Sequence, residues 1–142
     1  MIGYLDTSAF VPLIIAEPSS AACRRFWDDS DAVVTNQLTY VETAAALAQA
    51  HRLGRVTTRS HRAGLRMLDA LWVELDVIEA DESLVVEAAR LAYRHQLRGY
   101  DAVHCAAVLQ LADNDLVAAA GDRELLRAWS SIGAPTYDTT HP

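Results

Sequence analysis

Three observations predict an α/β domain built on a parallel sheet. Short apolar runs that suit buried strands alternate along the chain with longer stretches whose apolar residues recur at helical spacing. The alternation itself calls for a sheet whose strands are joined by helical crossovers. Carboxylates also stand directly after the first and fourth apolar runs, as Asp6 and Asp122, and sites in open parallel sheets form beyond the carboxyl ends of the strands. The expectation is one domain over residues 1–142, with four to five parallel strands flanked by helices on both faces. A chain of 142 residues is long enough to bury a real core.

The elements follow in order. Ile2 to Leu5 reads as a buried strand, and Ser19 to Trp27 as a helix opened by Pro18 and Ser19. Ala32 to Thr35 is a second strand. Asn36 caps a helix to about Ala50, with Leu38, Val41, Ala45 and Ala48 as its apolar face and Gly54 just beyond its end. Thr57 or Thr58 opens a helix through Leu71, and Leu75 to Ile78 is a third strand. A helix from Glu82 to Gln96 is separated by Gly99 from another, Tyr100 to Ala112, that is apolar nearly all round and therefore belongs inside the core. Leu116 to Ala119 is a fourth strand, Asp122 to Ser130 a last helix, and Pro135 to Tyr137 a short fifth strand.

Composition narrows the class. With 51% hydrophobic and 22% charged residues the chain is globular rather than disordered. Two cysteines, Cys23 and Cys105, make neither a disulfide scaffold nor a four-ligand zinc site, and read as buried free thiols. The longest apolar run, Ala9 to Ala16, is interrupted by Pro12 and is too short to span a bilayer, so a soluble, cytoplasmic protein without a membrane partner is expected. A net charge of −7 argues against binding a polyanion over the whole surface. All twelve basic residues are arginines, which favour planar, bidentate contacts to phosphate or carboxylate.

Topology gathers the acids. Asp6 and Asp122 lie just past strand ends, and Glu42, about two turns into the helix after the second strand, stays near the same edge. The Tyr100 helix leads into the fourth strand and so runs down the sheet, which puts Asp101 at the top. Four carboxylates on one rim repel strongly: a pair about 4 Å apart costs about 4 kcal/mol at an effective dielectric of about 20. Such an all-oxygen cluster suits a hard ion, Mg²⁺ or Mn²⁺, rather than zinc.

The motifs DTSAFV after the first strand, an acid in the helix after the second, LRGYDAVHCAAVLQLA, and a strand ending at Asp122 before RELLRAW resemble a PIN domain of the VapC toxin type, in order and over essentially the whole chain. The resemblance implies a metal-dependent endoribonuclease in which Asp6, Glu42, Asp101 and Asp122 hold one or two Mg²⁺ or Mn²⁺ ions. Asp6 and Asp101 would be direct ligands, while Glu42 and Asp122 act through water or complete a second ion. Thr7 and Ser8 would hold the Asp6 carboxylate or a water beside it. The same resemblance implies a homodimer, an RNA substrate, and a VapB-type antitoxin that wraps the toxin and places a basic side chain in the acidic pocket. One departure stands out: Ala118, Ala119, Ala120 and Gly121 precede Asp122, where family members often carry a Thr or Ser.

Plainer readings compete. Asp6, Asp101 and Asp122 also read as helix caps and Glu42 as a surface charge, although all four motifs together favour a site. His104, three residues after Asp101, reads as a satisfied core histidine or as a neighbour of the site. Asp113 and Asp115 belong to the opposite end of the sheet, and Asp28, Asp29 and Asp31 to a solvated loop. Arg55, Arg59, Arg62 and Arg66 form a stripe that either guides RNA phosphates, docks an acidic partner or is solvated, and Arg90, Arg94 and Arg98 form a weaker one. Two other functions remain open: a catalytically silent PIN module that binds RNA or protein, and a haloacid-dehalogenase-type phosphohydrolase. The latter needs an aspartate where Ser8 stands.

Overall fold

Each short apolar run becomes a strand. The computed structural model, which describes residues 1–111 and 115–142, has β1 (Ile2–Leu5), β2 (Ala32–Asn36), β3 (Asp76–Ile78), β4 (Leu116–Ala120) and β5 (Thr136–Asp138). They form one sheet in the order β3-β2-β1-β4-β5, and every neighbouring pair is parallel. Among the described residues the helices are α1 (Thr7–Phe10), continued by a 3-10 turn over Val11–Leu13, then α2 (Ser20–Asp29), α3 (Leu38–Arg52), α4 (Thr58–Trp72), α5 (Glu82–His95), α6 (Gly99–Leu111) and α7 (Arg123–Ser131). Ala112, the expected end of α6, and Asp113 lie outside the described residues.

Alternation along the central strands divides the core in two. Tyr4, Val34, Ala118 and Ala120 face one layer, where Leu84, Leu91, Val108, Leu125 and Trp129 pack from α5, α6 and α7. Leu5, Val33 and Ala119 face the other, against Phe10, Cys23, Phe26, Leu68 and Leu71. Residues Ala102 to Val108 of α6 are all buried, as an all-round apolar helix requires. Both cysteines are buried free thiols. Among the described residues no helix is long and apolar enough to cross a membrane.

Two local expectations are corrected. The buried stripe of α3 is Thr39, Thr43, Leu47 and Ala50, while Val41 is 51% exposed and Ala45 is on the surface. Hydroxyls account for the roll. Thr35 Oγ1 donates to the Leu5 carbonyl at 2.7 Å and meets Thr39 Oγ1 at 2.8 Å, so hydroxyls dock the first turn of α3 on the sheet, while the buried Thr43 hydroxyl has no protein partner. The second correction concerns the α5–α6 corner. Gln96, not Gly99, adopts the left-handed conformation (φ 55°), and the Leu97 N–H returns to the Ala92 carbonyl at 3.0 Å. Leu97 is buried, and its anchoring places the turn at Gln96, three residues before Gly99. Gly99 is instead the first residue of α6, and Arg98 is therefore not part of an α5 stripe with Arg90 and Arg94.

Gly3 is required by close packing rather than by its backbone angles. A Cβ there would overlap Ser30 Oγ and come within 2.8 Å of the Phe26 ring. Gly3→Ala is expected to destabilise the protein by about 1–3 kcal/mol, read from urea unfolding, because the aromatic ring is locked between α2 and the sheet.

Candidate functional site

The strand order reverses direction beside β1, whose neighbours are β2 on one side and β4 on the other. That switch point opens a crevice beyond the carboxyl ends of the strands. Asp6, Thr7, Ser8, Glu42, Arg98, Asp101, His104 and Asp122 all line one cleft there, with a volume of about 330 Å³. The four acids selected from the sequence therefore come together. Asp115 lies at the far end of the sheet beside the N-terminal amine, 3.2 Å away, as does Asp31, which also pairs with that amine. Asp28 and Asp29 are exposed at the end of α2 rather than in a loop.

Asp6 follows β1 in extended conformation and caps α1, accepting from Ala9 N at 3.0 Å. Ser8 Oγ lies 2.7 and 2.8 Å from its two oxygens and accepts in turn from Gly121 N at 2.7 Å. One hydroxyl thus ties the end of β1 to the turn after β4. The Asp6 residue is only 3% exposed. Burial pushes its carboxyl up to about 6, against the opposing bonds from Ser8 and Ala9.

Glu42 faces the cleft from α3. Thr7 Oγ1 donates to its Oε1 at 2.8 Å, and His104 Nε2 stands 2.9 Å from the same oxygen. Thr7 therefore serves Glu42 rather than Asp6, and Ser8 alone takes the role expected of the pair. Asp101 occupies the first turn of α6 and Asp122 caps α7, accepting from Leu125 N at 3.1 Å. Burial, and then the neighbouring Asp122, raise the Asp101 carboxyl above its ordinary range, while Arg98 pulls it back.

Arg98 is the site residue that the sequence reading missed. Its Nε donates to Asp101 at 3.1 Å and its Nη2 to Asp122 at 3.2 Å, although the side chain is 81% exposed. The Asp122 carboxylate is accordingly oriented by a backbone N–H and a guanidinium. The one available signal was proximity to Asp101 across three residues, the spacing of helical neighbours.

The donor chemistry fits a hard divalent ion. Four carboxylates supply oxygen ligands only, burial raises the Asp6 and Asp101 carboxyls above their ordinary range, and the cationic Arg98 guanidinium bridges Asp101 and Asp122. Among the described residues no three His, Cys, Asp or Glu side chains yet stand close enough to share one ion. Thr7 and His104 hold Glu42, and Arg98 holds Asp101 and Asp122.

The PIN-domain family model matches residues 3–128. The chain is also 38% identical to Ribonuclease VapC45 of Mycobacterium tuberculosis over 122 residues, which is 86% of this chain and 85% of that protein. The chain belongs to the PIN-domain family. Among solved structures this PIN domain is similar to PAE2754 from Pyrobaculum aerophilum, with 27% identity, a TM-score of 0.69, and 96% and 83% of the two chains covered. It shares its fold with a toxin–antitoxin complex from Klebsiella pneumoniae at 10% identity and a TM-score of 0.68, over 96% of this chain and 97% of that one. The α/β architecture with a parallel sheet is thus the fold of the PIN domain, and the phosphohydrolase alternative falls away.

The raised Asp6 carboxyl carries a sign that can be measured. Between its ordinary value of 3.8 and its folded value of about 6, the folded state binds a proton that the unfolded chain has released. Stability of the metal-free PIN domain should therefore fall as pH rises through that window, by up to about 3 kcal/mol. Asp6→Asn should abolish this part of the slope, so that the variant is the more stable protein at pH 7, as read from urea unfolding in chelator.

Proposed function

We propose that this PIN domain is a metal-dependent endoribonuclease that hydrolyses RNA phosphodiester bonds as the toxin of a VapBC-type toxin–antitoxin pair. The observation that carries the reading is the convergence of Asp6, Glu42, Asp101 and Asp122 on one cleft at the switch point of the sheet. The similarity to a protein named Ribonuclease VapC45 supports the reaction, and the fold shared with a toxin–antitoxin complex supports the partner.

Asp6 and Asp101 would hold an Mg²⁺ or Mn²⁺ ion directly, and Glu42 and Asp122 would act through water or complete a second ion. An ion bound there supplies charge neutralisation at the phosphodiester and activation of the attacking water. Ser8 keeps both Asp6 oxygens in register with the Asp122 turn. Thr7 holds one Glu42 oxygen at the cleft. Arg98, exposed at the rim, would release Asp101 and Asp122 to the ion and meet the RNA phosphate, for which its planar fork is suited.

The same geometry gives an antitoxin a means of inhibition. A guanidinium already spans Asp101 and Asp122, so a basic side chain from a VapB-type segment would neutralise the cleft in place of the metal. The homodimer implied by the resemblance belongs to this reading and is checked by sedimentation. Arg55, Arg59, Arg62 and Arg66 are exposed along and just before α4, and we assign them to RNA phosphates.

Asp6→Asn and Asp101→Asn should each abolish Mg²⁺- or Mn²⁺-dependent cleavage of RNA while the circular dichroism spectrum stays native; full activity in either variant defeats the ligand assignment. Arg59→Ala combined with Arg62→Ala should weaken RNA binding and reduce its salt slope by about 0.7 per lost phosphate contact. An unchanged slope returns that stripe to the solvent.

A further inference from the structure

Behind Glu42 lies a chain of buried polar side chains that the reaction as described does not use. Asn36, at the end of β2, is fully buried, as is Tyr4 on β1, and His104 on α6 is 1% exposed. Such groups are costly inside a core unless each donor meets an acceptor. Here they do, and in one direction only.

The backbone sets that direction. Leu38 N–H donates to Asn36 Oδ1 at 2.8 Å, which settles which end of the amide is oxygen and turns Nδ2 inward. Asn36 Nδ2 then donates to Tyr4 Oη at 2.9 Å and to His104 Nδ1 at 3.0 Å. Tyr4 Oη, an acceptor from Asn36, lies 2.9 Å from His104 Nδ1, where its own proton can be donated. An amide nitrogen can only donate, so the contact from Asn36 makes Nδ1 the acceptor and leaves the imidazole proton on Nε2. That proton faces Glu42 Oε1 at 2.9 Å, beside the Thr7 hydroxyl at 2.8 Å.

Packing holds the ring in this pose. Tyr4 meets His104 and Trp129 edge to face, with centroids 5.9 and 5.8 Å apart, and Trp129 Nε1 donates to the His104 carbonyl at 3.3 Å. Oε1 of Glu42 is thus occupied by two inner donors, and Glu42 lines the cleft. We propose that Tyr4, Asn36 and His104 are positioning residues that lock the Nε2–H tautomer of His104 and thereby aim Glu42 for the reaction. The inference rests on the nuclease reading above for its catalytic consequence, and on hydrogen-bond geometry alone for the tautomer.

The test has two arms. Two-bond ¹H–¹⁵N spectra of the labelled protein report the His104 tautomer without RNA, and the Nε2–H form is expected; the Nδ1–H form overturns the proposal. Kinetics on a fixed RNA supply the second arm. His104→Leu, which removes the donor, should lower kcat by about 10–100-fold, the range for lost supporting contacts to ligand side chains, with KM for RNA unchanged. His104→Gln, whose amide nitrogen reaches the Nε2 position, should restore most of the loss.

Tyr4→Phe should lower kcat in the His104 background but add nothing in His104→Gln, because the glutamine no longer needs a tautomer. Equal losses from Tyr4→Phe in both backgrounds, tracking thermal stability, overturn the proposal in favour of a purely structural core. Loss in His104→Leu that appears as KM overturns it as well. A wild-type protein that shows the Nε2–H form yet cleaves no RNA overturns the nuclease reading and the positioning role with it, whereas an active wild type with the Nδ1–H form overturns the relay alone.

Discussion

Asp6 must be ionised to hold a cation, yet it sits at the end of the central strand with almost no access to water. Isolated in such a place a carboxylate costs several kcal/mol, and its raised proton affinity is the visible trace of that cost. The surroundings are built around this conflict. Ala9 N and Ser8 Oγ supply hydrogen bonds that soften it without cancelling it. Because Ser8 also receives the Gly121 N–H, the same hydroxyl registers the first acid against the turn that carries the fourth. In the proposed reading, an added positive charge would complete what these bonds leave undone.

Four different elements deliver the acids, and parallel topology is what lets them meet. β1 and β4 are adjacent and end at the same height, so Asp6 and Asp122 need only follow their strands. α3 leaves the neighbouring strand β2 and passes Glu42 over the same edge, while α6 descends toward β4 and keeps Asp101 in its first turn. Behind the cleft, His104 links Glu42 to buried polar side chains. Tyr4, Asn36 and His104 take positions in the core because their hydrogen bonds are mutually complete. A network of this kind holds the Glu42 carboxylate that lines the cleft in a fixed pose.

Much of this was legible from residues. β1, β2 and β4 are short apolar runs, Asp6 stands immediately after the first and Asp122 two residues after the last. Asp101 was readable because α6 is apolar all round and must run through the core. The roll of α3 was not. Leu38, Val41, Ala45 and Ala48 match the helical period as well as Thr39, Thr43, Leu47 and Ala50 do, and only the hydroxyl contacts between Thr35, Thr39 and the Leu5 carbonyl choose between them. Arg98 escaped for a similar reason: the period of four from Arg90 and Arg94 continues through it, but the helix stops at Gln96 once Leu97 is drawn into the core.

Sequence by itself determined the alternation of strands and helices, the identity of the four acids and their common rim, because apolar periodicity and the direction of parallel crossovers are local properties of the chain. Tertiary structure decided how each carboxylate is held. Ser8 reaches Gly121 across 113 residues and His104 reaches Glu42 across 62. A hydrogen bond depends on distance and angle in space, so no local pattern of residues specifies its partner. For the same reason the pairing of Arg98 with Asp101 and Asp122, and the single tautomer available to His104, emerged only when the sheet brought the chain together.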